Sequence, residues 1–193
     1  TLRRYEELKA SGIHFVDVGT SGGTDGARYG LCAMMGGDED AVNYLAPLYE
    51  KICVEKGFLI TGRAGSGHFL KMVHNGIEYG MMQAYAEGFE LMQKSDFKLD
   101  LPFIANMWMQ GSVVRSWLLE LAASALSKDP QLAKIQGYVE DSGEGRWTIL
   151  DAIENLQGAP LPATIFESEM LAARADGYNP ASLDALCAAG EVV

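Results

Sequence analysis

The sequence predicts part of an α/β sheet domain over residues 1–63, followed by an all-α domain over residues 64–193. Two observations carry this prediction. Three short apolar segments alternate with helical segments in the first 62 residues, as expected for a layered α/β domain. Beyond residue 66 such segments nearly disappear, and apolar residues recur at the three- to four-residue spacing of helices.

The first 62 residues alternate helix and strand. Residues 1–11 mix charged and apolar residues at helical spacing, and Gly12 provides a helix stop. The segment IHFVDVG, residues 13–19, has the β-branched and aromatic residues of a buried strand. Two more strands are expected, CAMMGG over residues 32–37 and KGFLITG over residues 56–62. Between them a helix is expected over residues 38–53, with acidic residues at its start.

A single long helix is predicted over residues 66–95, about 45 Å at about 1.5 Å per residue. It contains Gly76, Gly80 and Gly88. Each glycine costs up to about 1 kcal/mol against alanine, so we expect them to allow close packing against another backbone.

Further helices follow along the chain. One or two are predicted over residues 102–126, and the segment that ends in DSGEG is predicted to be rich in loops. Two more helices with glycine stops are expected, over residues 147–158 and 162–177.

Composition excludes several classes of protein. The chain has 193 residues, 48% hydrophobic residues and a net charge of −11. An acidic chain is not expected to bind nucleic acid. Three widely spaced cysteines, Cys32, Cys53 and Cys187, show no metal-ligand spacing, and their odd number favours a reducing, cytoplasmic location. No apolar run has transmembrane length, and the N-terminus does not resemble a signal peptide.

Polar side chains form a stripe along the start of the long helix. At 3.6 residues per turn, one sector of about 100° contains Gly67, Lys71, His74, Asn75 and Glu78. One interpretation is a solvated face on which a lysine and a glutamate pair.

We favour a cleft, because the rest of the helix circumference is apolar, with Phe69, Val73 and Ile77 pointing away from the stripe. A lysine amine in a cleft of low dielectric constant loses its proton more readily and can act as a base. A carboxylate two turns away can act as the acid. Gly65 and Gly67 at the helix start leave backbone N–H groups able to receive an anion. A metal site is not expected, because no further ligand clusters with His74 and Glu78.

A glycine-rich segment, DVGTSGGTDGARYG, follows the first strand. Ser21, Gly22 and Gly23 form a loop in which backbone can approach a ligand closely. The segment has neither the Gly-Lys-Ser/Thr of a Walker loop nor a strand–GxGxxG–helix order. Taken alone, this pattern is more often a structural turn than a binding site.

Together the two segments resemble the β-hydroxyacid dehydrogenase superfamily, and within it the 6-phosphogluconate dehydrogenase family. That family's substrate loop reads Asp, then Ser-Gly-Gly, then Gly-Ala, and its catalytic helix reads GxGxxxKxxxN, as in Gly65, Gly67, Lys71 and Asn75. The extension KMVHNGIEYG is similar to the phosphogluconate branch. GRWT, residues 145–148, resembles the branch's Gly-Lys-Trp-Thr with an arginine in place of lysine, and Arg174 resembles a phosphate-binding arginine.

The resemblance implies a Rossmann-type domain, of which only the C-terminal part is present, and a helical catalytic and dimerisation domain. It implies oxidative decarboxylation of 6-phosphogluconate to ribulose 5-phosphate and CO2, with NAD or NADP as cofactor. Lys71 and Glu78 would be the catalytic base and acid. The implied substrate-binding residues are Ser21, Gly22, Gly23, His74, Asn75, Tyr79, Arg146, Thr148 and Arg174.

The sequence departs from the family pattern at its start. The Gly-rich pyrophosphate turn is absent, so no residue is assigned to the nucleotide, and the chain resembles the short form of the family. The resemblance implies a homodimer or higher homo-oligomer, with neither nucleic acid nor membrane as a partner. Two alternatives stay open: a related dehydrogenase of the hydroxyisobutyrate type, and a non-catalytic helical dimerisation module.

Overall fold

The computed structural model describes residues 1–134, 136 and 143–155. Within these residues, every element after residue 66 is a helix, and the predicted fold class, an α/β sheet followed by helices, is confirmed. The elements are, in chain order, α1 (Leu2–Ala10), β1 (Val16–Ser21), α2 (Gly23–Tyr29), β2 (Leu31–Gly37), α3 (Glu39–Ile52), β3 (Cys53–Gly62), α4 (Ser66–Lys94), α5 (Leu101–Trp108), α6 (Trp117–Lys128) and α7 (Glu144–Asn155).

The three strands form one mixed sheet in the order β1-β2-β3. Strand β2 runs antiparallel to β1, with Val16 opposite Gly37 and Ser21 opposite Cys32. Strand β3 runs parallel to β2, and α3 makes the crossover that a parallel pair requires. The end of β1 and the start of α2, which follow each other directly in the chain, line the candidate site described below.

Helix α2 corrects the expectation of a loop after the first strand. Gly22 (φ 130°) and Gly23 (φ 55°) turn the chain sharply, and residues 23–29 then form a short helix. A Cβ atom on Gly22 would lie 2.7 Å from the Cα of Gly26, so this position requires glycine. The sequence did not predict α2, because two of its seven residues are glycines, which have a low helix propensity.

The strand boundaries also differ from the prediction. Strand β1 begins at Val16 and continues to Ser21, while β3 begins at Cys53, three residues before the predicted start. The register of β3 slips between the pairs Leu31–Cys53 and Ala33–Phe58, and Lys56 has a positive φ of 61°. This irregular start breaks the alternation of side chains on which the sequence prediction of a strand depends.

Apolar residues gather in two places. Ala33, Met34, Met35 and Val42 are buried around the sheet. A second cluster lies between α5 and α6, and the end of α4 packs against it; its buried members are Leu101, Ala105, Leu119, Ala123 and Leu126. Helix α4 is therefore the element that spans both cores.

The segment predicted as one or two helices over residues 102–126 forms two. Asp100 and Ser116 cap them, accepting hydrogen bonds from the N–H groups of Phe103 (2.9 Å) and Leu119 (3.0 Å). Helix α7 begins at Glu144, before the predicted start, and the helix predicted over residues 162–177 lies outside the described residues. The chain divides into two compact units, Thr1–Gly145 and Arg146–Val193.

Candidate functional site

A cleft of about 1110 Å³ lies in the first unit, lined by the end of β1, the first half of α4 and the start of α6. Its lining includes Phe69, Val73 and Ile77, which the helix period places away from the stripe. Its polar wall contains eight of the residues singled out in the sequence: Ser21, Gly22, Gly23, Lys71, His74, Asn75, Glu78 and Tyr79. The rest of the lining is largely apolar and includes Met34, Met81, Trp117, Leu118 and Leu121. The structure thus brings the glycine loop and the helix stripe, about 50 residues apart in sequence, into one concave site.

His74 lies at the centre of the polar stripe. Its Nδ1 atom is 3.5 Å from the Nζ atom of Lys71, 3.2 Å from the Oδ1 atom of Asn75 and 3.5 Å from the Oε2 atom of Glu78. The side chains of His74 and Glu78 are each 37% exposed, so a ligand in the cleft can reach them. Among the described residues no ion pair joins Lys71 directly to Glu78, which counts against the interpretation of a simple paired surface.

Helix α4 buries residues of its polar stripe and not its large apolar residues. Its buried residues are Gly67 and Asn75, both on the polar stripe, whereas Phe69 and Ile77 are largely exposed. Helix α4 turns the start of its stripe side toward β1 and β2, where Gly67 lies against strand backbone. On the apolar side, Phe69 and Ile77 line the cleft while remaining partly exposed.

The backbone N–H groups at the start of α4 bind a carboxylate of the protein itself, that of Asp17. Asp17 of β1 is 1% exposed, and its two carboxylate oxygens accept hydrogen bonds from the N–H groups of Gly65 (2.5 Å) and His68 (2.8 Å). These donors are therefore not available to a ligand, which corrects the expectation drawn from Gly65 and Gly67. Asp17 stood in the sequence motif, yet no pattern indicated that its partners lie at residues 65 and 68.

Two glycines allow the close approach of β1 and α4. A Cβ atom on Gly19 would lie 2.4 Å from the Cβ of Lys71, and one on Gly67 would lie 2.5 Å from the carbonyl oxygen of Met34. Gly80 and Gly88, by contrast, have no atom within 4 Å of such a Cβ. The expectation of close backbone packing is thus wrong for these two residues within the chain, and it applies instead at the helix start.

The glycine loop is both a turn and a wall of the cleft. Gly22 is needed for the turn itself, whereas a side chain on Gly23 would meet nothing within 4 Å. Ser21 ends β1, and its neighbours Thr20, Thr24 and Asp25 also line the cleft. The turn therefore explains why residue 22 is a glycine. It does not explain Ser21 and Gly23, which are candidates for binding a ligand.

Three candidate substrate-binding residues are not among the described residues that line the cleft. Arg146 and Thr148 belong to the second compact unit, where Arg146 is exposed and Thr148 is partly buried. Arg174 lies outside the described residues. Gly145, the last residue of the first unit, lies against the ring of Tyr79, since a Cβ atom there would be 3.2 Å from Cδ2.

Within the described residues, no three or more His, Cys, Asp or Glu side chains lie close enough together to hold a metal ion. Over the same part of the chain, no helix combines the length and apolar character needed to cross a membrane.

Two family models match the chain. Residues 67–176 match the C-terminal domain of 6-phosphogluconate dehydrogenase, and residues 1–62 match the NAD binding domain of 6-phosphogluconate dehydrogenase. The first match covers most of residues 64–193 and includes the whole polar stripe. The second covers the sheet and the glycine loop.

Individual relatives agree with these matches. The chain is 50% identical to YqeC of Bacillus subtilis over 163 residues, 84% of this chain and 55% of that protein. It is 41% identical to the NAD(+)-dependent, decarboxylating 6-phosphogluconate dehydrogenase of Haloferax volcanii over 180 residues, 91% of this chain and 58% of that protein. The chain thus spans little more than half the length of these relatives.

Solved structures place the fold in the same group. A 6-phosphogluconate dehydrogenase of Plasmodium falciparum, described with NADP+ and with 6-phosphogluconate, matches with a TM-score of 0.73 and 35% identity, over 83% of this chain and 36% of that one. A 3-hydroxyisobutyrate dehydrogenase of Salmonella typhimurium matches with a TM-score of 0.64 and 19% identity, over 83% of this chain and 54% of that one. The second likeness concerns the fold alone.

Proposed function

The chain belongs to the 6-phosphogluconate dehydrogenase family, and we propose that its cleft binds 6-phosphogluconate for oxidative decarboxylation to ribulose 5-phosphate and CO2. The observation that carries this proposal is the convergence of Lys71, His74, Asn75 and Glu78 with the glycine loop on one cleft. A relative that acts on small hydroxyacids needs a base and a carboxylate site, but it has no need of a second proton donor two turns along the helix.

Lys71 is the proposed base of the oxidation step. Its amine takes the proton of the hydroxyl group on the third carbon of the sugar acid as hydride leaves that carbon. The resulting β-keto acid loses CO2 because the new carbonyl group accepts the electron pair of the breaking C–C bond. The protonated amine of Lys71 then stabilises the oxyanion that develops on this carbonyl.

Glu78 is the proposed acid of the last step. Loss of CO2 leaves an enediol, which becomes ribulose 5-phosphate when its first carbon takes a proton. Glu78 lies two turns of α4 from Lys71, and His74 lies between them, 3.5 Å from each. This spacing along α4 suits two proton transfers at different atoms of one extended substrate.

The remaining candidates are proposed to bind the substrate. His74 and Asn75 would hydrogen-bond its hydroxyl groups, and Ser21, Gly22 and Gly23 would hold its carboxylate. Of the described residues that line the cleft, Lys71 is the one lysine or arginine. We assign the phosphate group to Arg146 and Arg174, which are cations, and to the hydroxyl group of Tyr79. Thr148 is a further proposed substrate-binding residue.

NAD or NADP is the cofactor of the family, and when bound it supplies the hydride acceptor. Apolar residues that line the same cleft as Lys71, among them Met34 and Leu121, would suit a nicotinamide ring. The sequence has no strand–GxGxxG–helix turn for the pyrophosphate, so the pyrophosphate is not assigned to any residue of this chain. In this proposal residues 1–63 remain the C-terminal part of the nucleotide domain and residues 64–193 the helical domain.

We also propose a homodimer or higher homo-oligomer and a cytoplasmic location. Leu91, outside the cleft, is largely exposed on α4, and Phe69 and Ile77, which line the cleft, also expose roughly half or more of their surface. Such exposed apolar residues suit contact with another helical surface. The thiols of Cys32 and Cys53 are free, as suits a reducing compartment. Sedimentation at micromolar concentration tests the assembly, and a monomer would contradict it.

The test of the activity compares three substrates. The protein is incubated with NAD+ or NADP+ and with 6-phosphogluconate, gluconate or 3-hydroxyisobutyrate, while reduced cofactor and released CO2 are both measured. We expect reduced cofactor and CO2 in equal amounts with 6-phosphogluconate only. Faster turnover of 3-hydroxyisobutyrate without CO2 would favour the small-hydroxyacid alternative. Cofactor titration that detects no binding would favour a non-catalytic dimerisation module.

A further inference from the structure

We infer that one face of strand β1 sets the position of Lys71 relative to the glycine loop, and that Asp17 is a positioning residue of the site. This inference rests on the proposed function, since it concerns the same lysine. Side chains at every second residue of a strand point to the same face. Asp17, Gly19 and Ser21 therefore share one face of β1, and the first two are buried.

Asp17, Gly19 and Ser21 contact different parts of the site. Asp17 holds the start of α4, Gly19 lies under the side-chain stem of Lys71, and Ser21 reaches the cleft. The same strand thus carries the attachment point of the catalytic helix and the first residue of the substrate loop. A shift of α4 along or around its axis would change the separation between Lys71 and Ser21.

Asp17 fixes α4 in two respects. Gly65 is the N-cap residue of the helix and His68 follows three residues later, so two bonds to one carboxylate fix both the rotation and the axial position of the first turn. A buried carboxylate is stable only when its oxygens are hydrogen-bonded, and the positive end of the helix dipole favours its charge. Lys71 lies on the next turn, three residues after His68.

Gly19 determines how closely the helix approaches. A Cβ atom on this residue would lie 2.4 Å from the Cβ of Lys71 and 2.8 Å from the carbonyl oxygen of Gly67. The stem of Lys71 therefore lies directly on strand backbone. Any side chain at position 19 would push α4 and its amine away from β1, and a misplacement of about 1 Å can cost about 100-fold in rate.

Asp17→Asn is the most direct variant, because it keeps the shape of the side chain but replaces one accepting oxygen with an NH2 group. That group cannot accept from an N–H, so one of the two bonds to α4 is lost. We expect kcat for 6-phosphogluconate to fall about 10- to 100-fold, while KM changes by less than about threefold, since Asp17 does not line the cleft. Asp100→Asn is the matched control, because Asp100 caps α5 and does not line the cleft; its kcat should remain within about twofold of the unsubstituted protein.

A second readout needs no turnover. The rate at which an acylating reagent modifies the amine of Lys71 is measured by mass spectrometry of the folded protein, with Lys94 at the other end of α4 as internal reference. Asp17→Asn should change the rate at Lys71 and leave the rate at Lys94 unchanged. If Asp17→Asn does not fold, Gly19→Ala is measured in the same way, with Gly88→Ala on α4 as its control.

The outcomes separate the two proposals. Unchanged kcat and an unchanged labelling rate at Lys71 in Asp17→Asn would overturn the inference. A lower melting temperature with normal kcat for the folded protein would also overturn it, because Asp17 would then be only structural. If the unsubstituted protein does not oxidise 6-phosphogluconate, the proposed function fails, and the labelling rates still decide whether Asp17 positions Lys71.

Discussion

The two ends of helix α4 lie in different chemical environments. At its start, the helix lies on strand backbone through Gly67 and is held by the carboxylate of Asp17. At its end, Tyr85, Phe89 and Met92 pack against the apolar cluster between α5 and α6. Hydrogen bonds and backbone contacts depend steeply on direction and distance, whereas apolar burial does not. The start of α4 is therefore suited to position chemical groups, and its end to stabilise the fold.

Substitutions at the two ends should consequently have different effects. Changes at the start should alter the rate more than the stability. Changes in the cluster at the end should alter the stability and leave the rate of the folded protein intact.

The largest effect is expected from Lys71→Met. The apolar side chain has almost the same shape and can lie on Gly19 as lysine does, but it cannot accept a proton. Oxidation of 6-phosphogluconate should be abolished, while the melting temperature changes little. Turnover and melting are measured on the same sample, and near-normal turnover would refute the assigned mechanism.

Glu78→Gln should have the next largest effect. The substitution keeps the shape and removes the acid, so turnover should slow by about 10²- to 10⁴-fold, the usual share of general acid catalysis. Substrate binding, measured by calorimetry, should be largely retained. A loss of binding with an unchanged rate at saturation would instead assign Glu78 to substrate recognition.

Leu119→Ala tests the other end of α4. Leu119 is fully buried in the apolar cluster, so its truncation leaves a cavity and should lower the free energy of unfolding by about 2–5 kcal/mol. Denaturant titration measures this loss. The kcat of the folded protein should stay close to normal, and a kcat that falls as far as in Glu78→Gln would remove the distinction between the two ends.

Gly88→Ala should have a small effect of the opposite sign. A Cβ atom on Gly88 meets nothing within 4 Å, so alanine should stabilise α4 by up to about 1 kcal/mol. Denaturant titration again gives the result. A destabilisation that grows with protein concentration would indicate that Gly88 packs against a second copy of the chain.

The smallest expected effect is on the pH dependence of stability, and it involves residues that do not line the cleft. The hydroxyl group of Tyr5 donates to the Oδ1 atom of Asp38 (2.5 Å), and this bond, together with the nearby Lys9, holds the pKa of Asp38 below its ordinary value. A lowered pKa stabilises the fold above the unfolded value of about 3.9, and this contribution is lost as pH falls through the folded value. The pKa of Lys9 is raised, mainly by its hydrogen bond with Tyr5, so its contribution is lost only at high alkaline pH.

Tyr5→Phe removes these hydrogen bonds. Its deficit in stability relative to the unsubstituted protein should be present at neutral pH and should shrink as pH falls below about 4. The groups are solvent-exposed, so the deficit should be small. Thermal unfolding across this pH range measures it, and a deficit that grows toward acid pH would contradict the assigned sign.

Local patterns in the sequence determined much of the site. The helix period puts Lys71, His74, Asn75 and Glu78 on one side of α4, and the structure has them there, because a helix fixes the relative directions of its side chains through bonds between near neighbours. The order of segments likewise predicted a sheet followed by helices. The same local reasoning did not predict α2, because its two glycines disfavour a helix in isolation, whereas packing against the sheet stabilises it.

Only the tertiary structure decided how these pieces meet. The bonds of Asp17 join residues 48 and 51 positions apart, and nothing in the segment around residue 17 indicates such partners. The antiparallel direction of β2 and the burial of Gly67 and Asn75 rather than Phe69 and Ile77 likewise depend on the sheet that α4 packs against. Periodicity follows from the covalent chain and its local hydrogen bonds, so sequence determines it, whereas the side of a helix that is buried follows from the shape of a surface formed by distant residues.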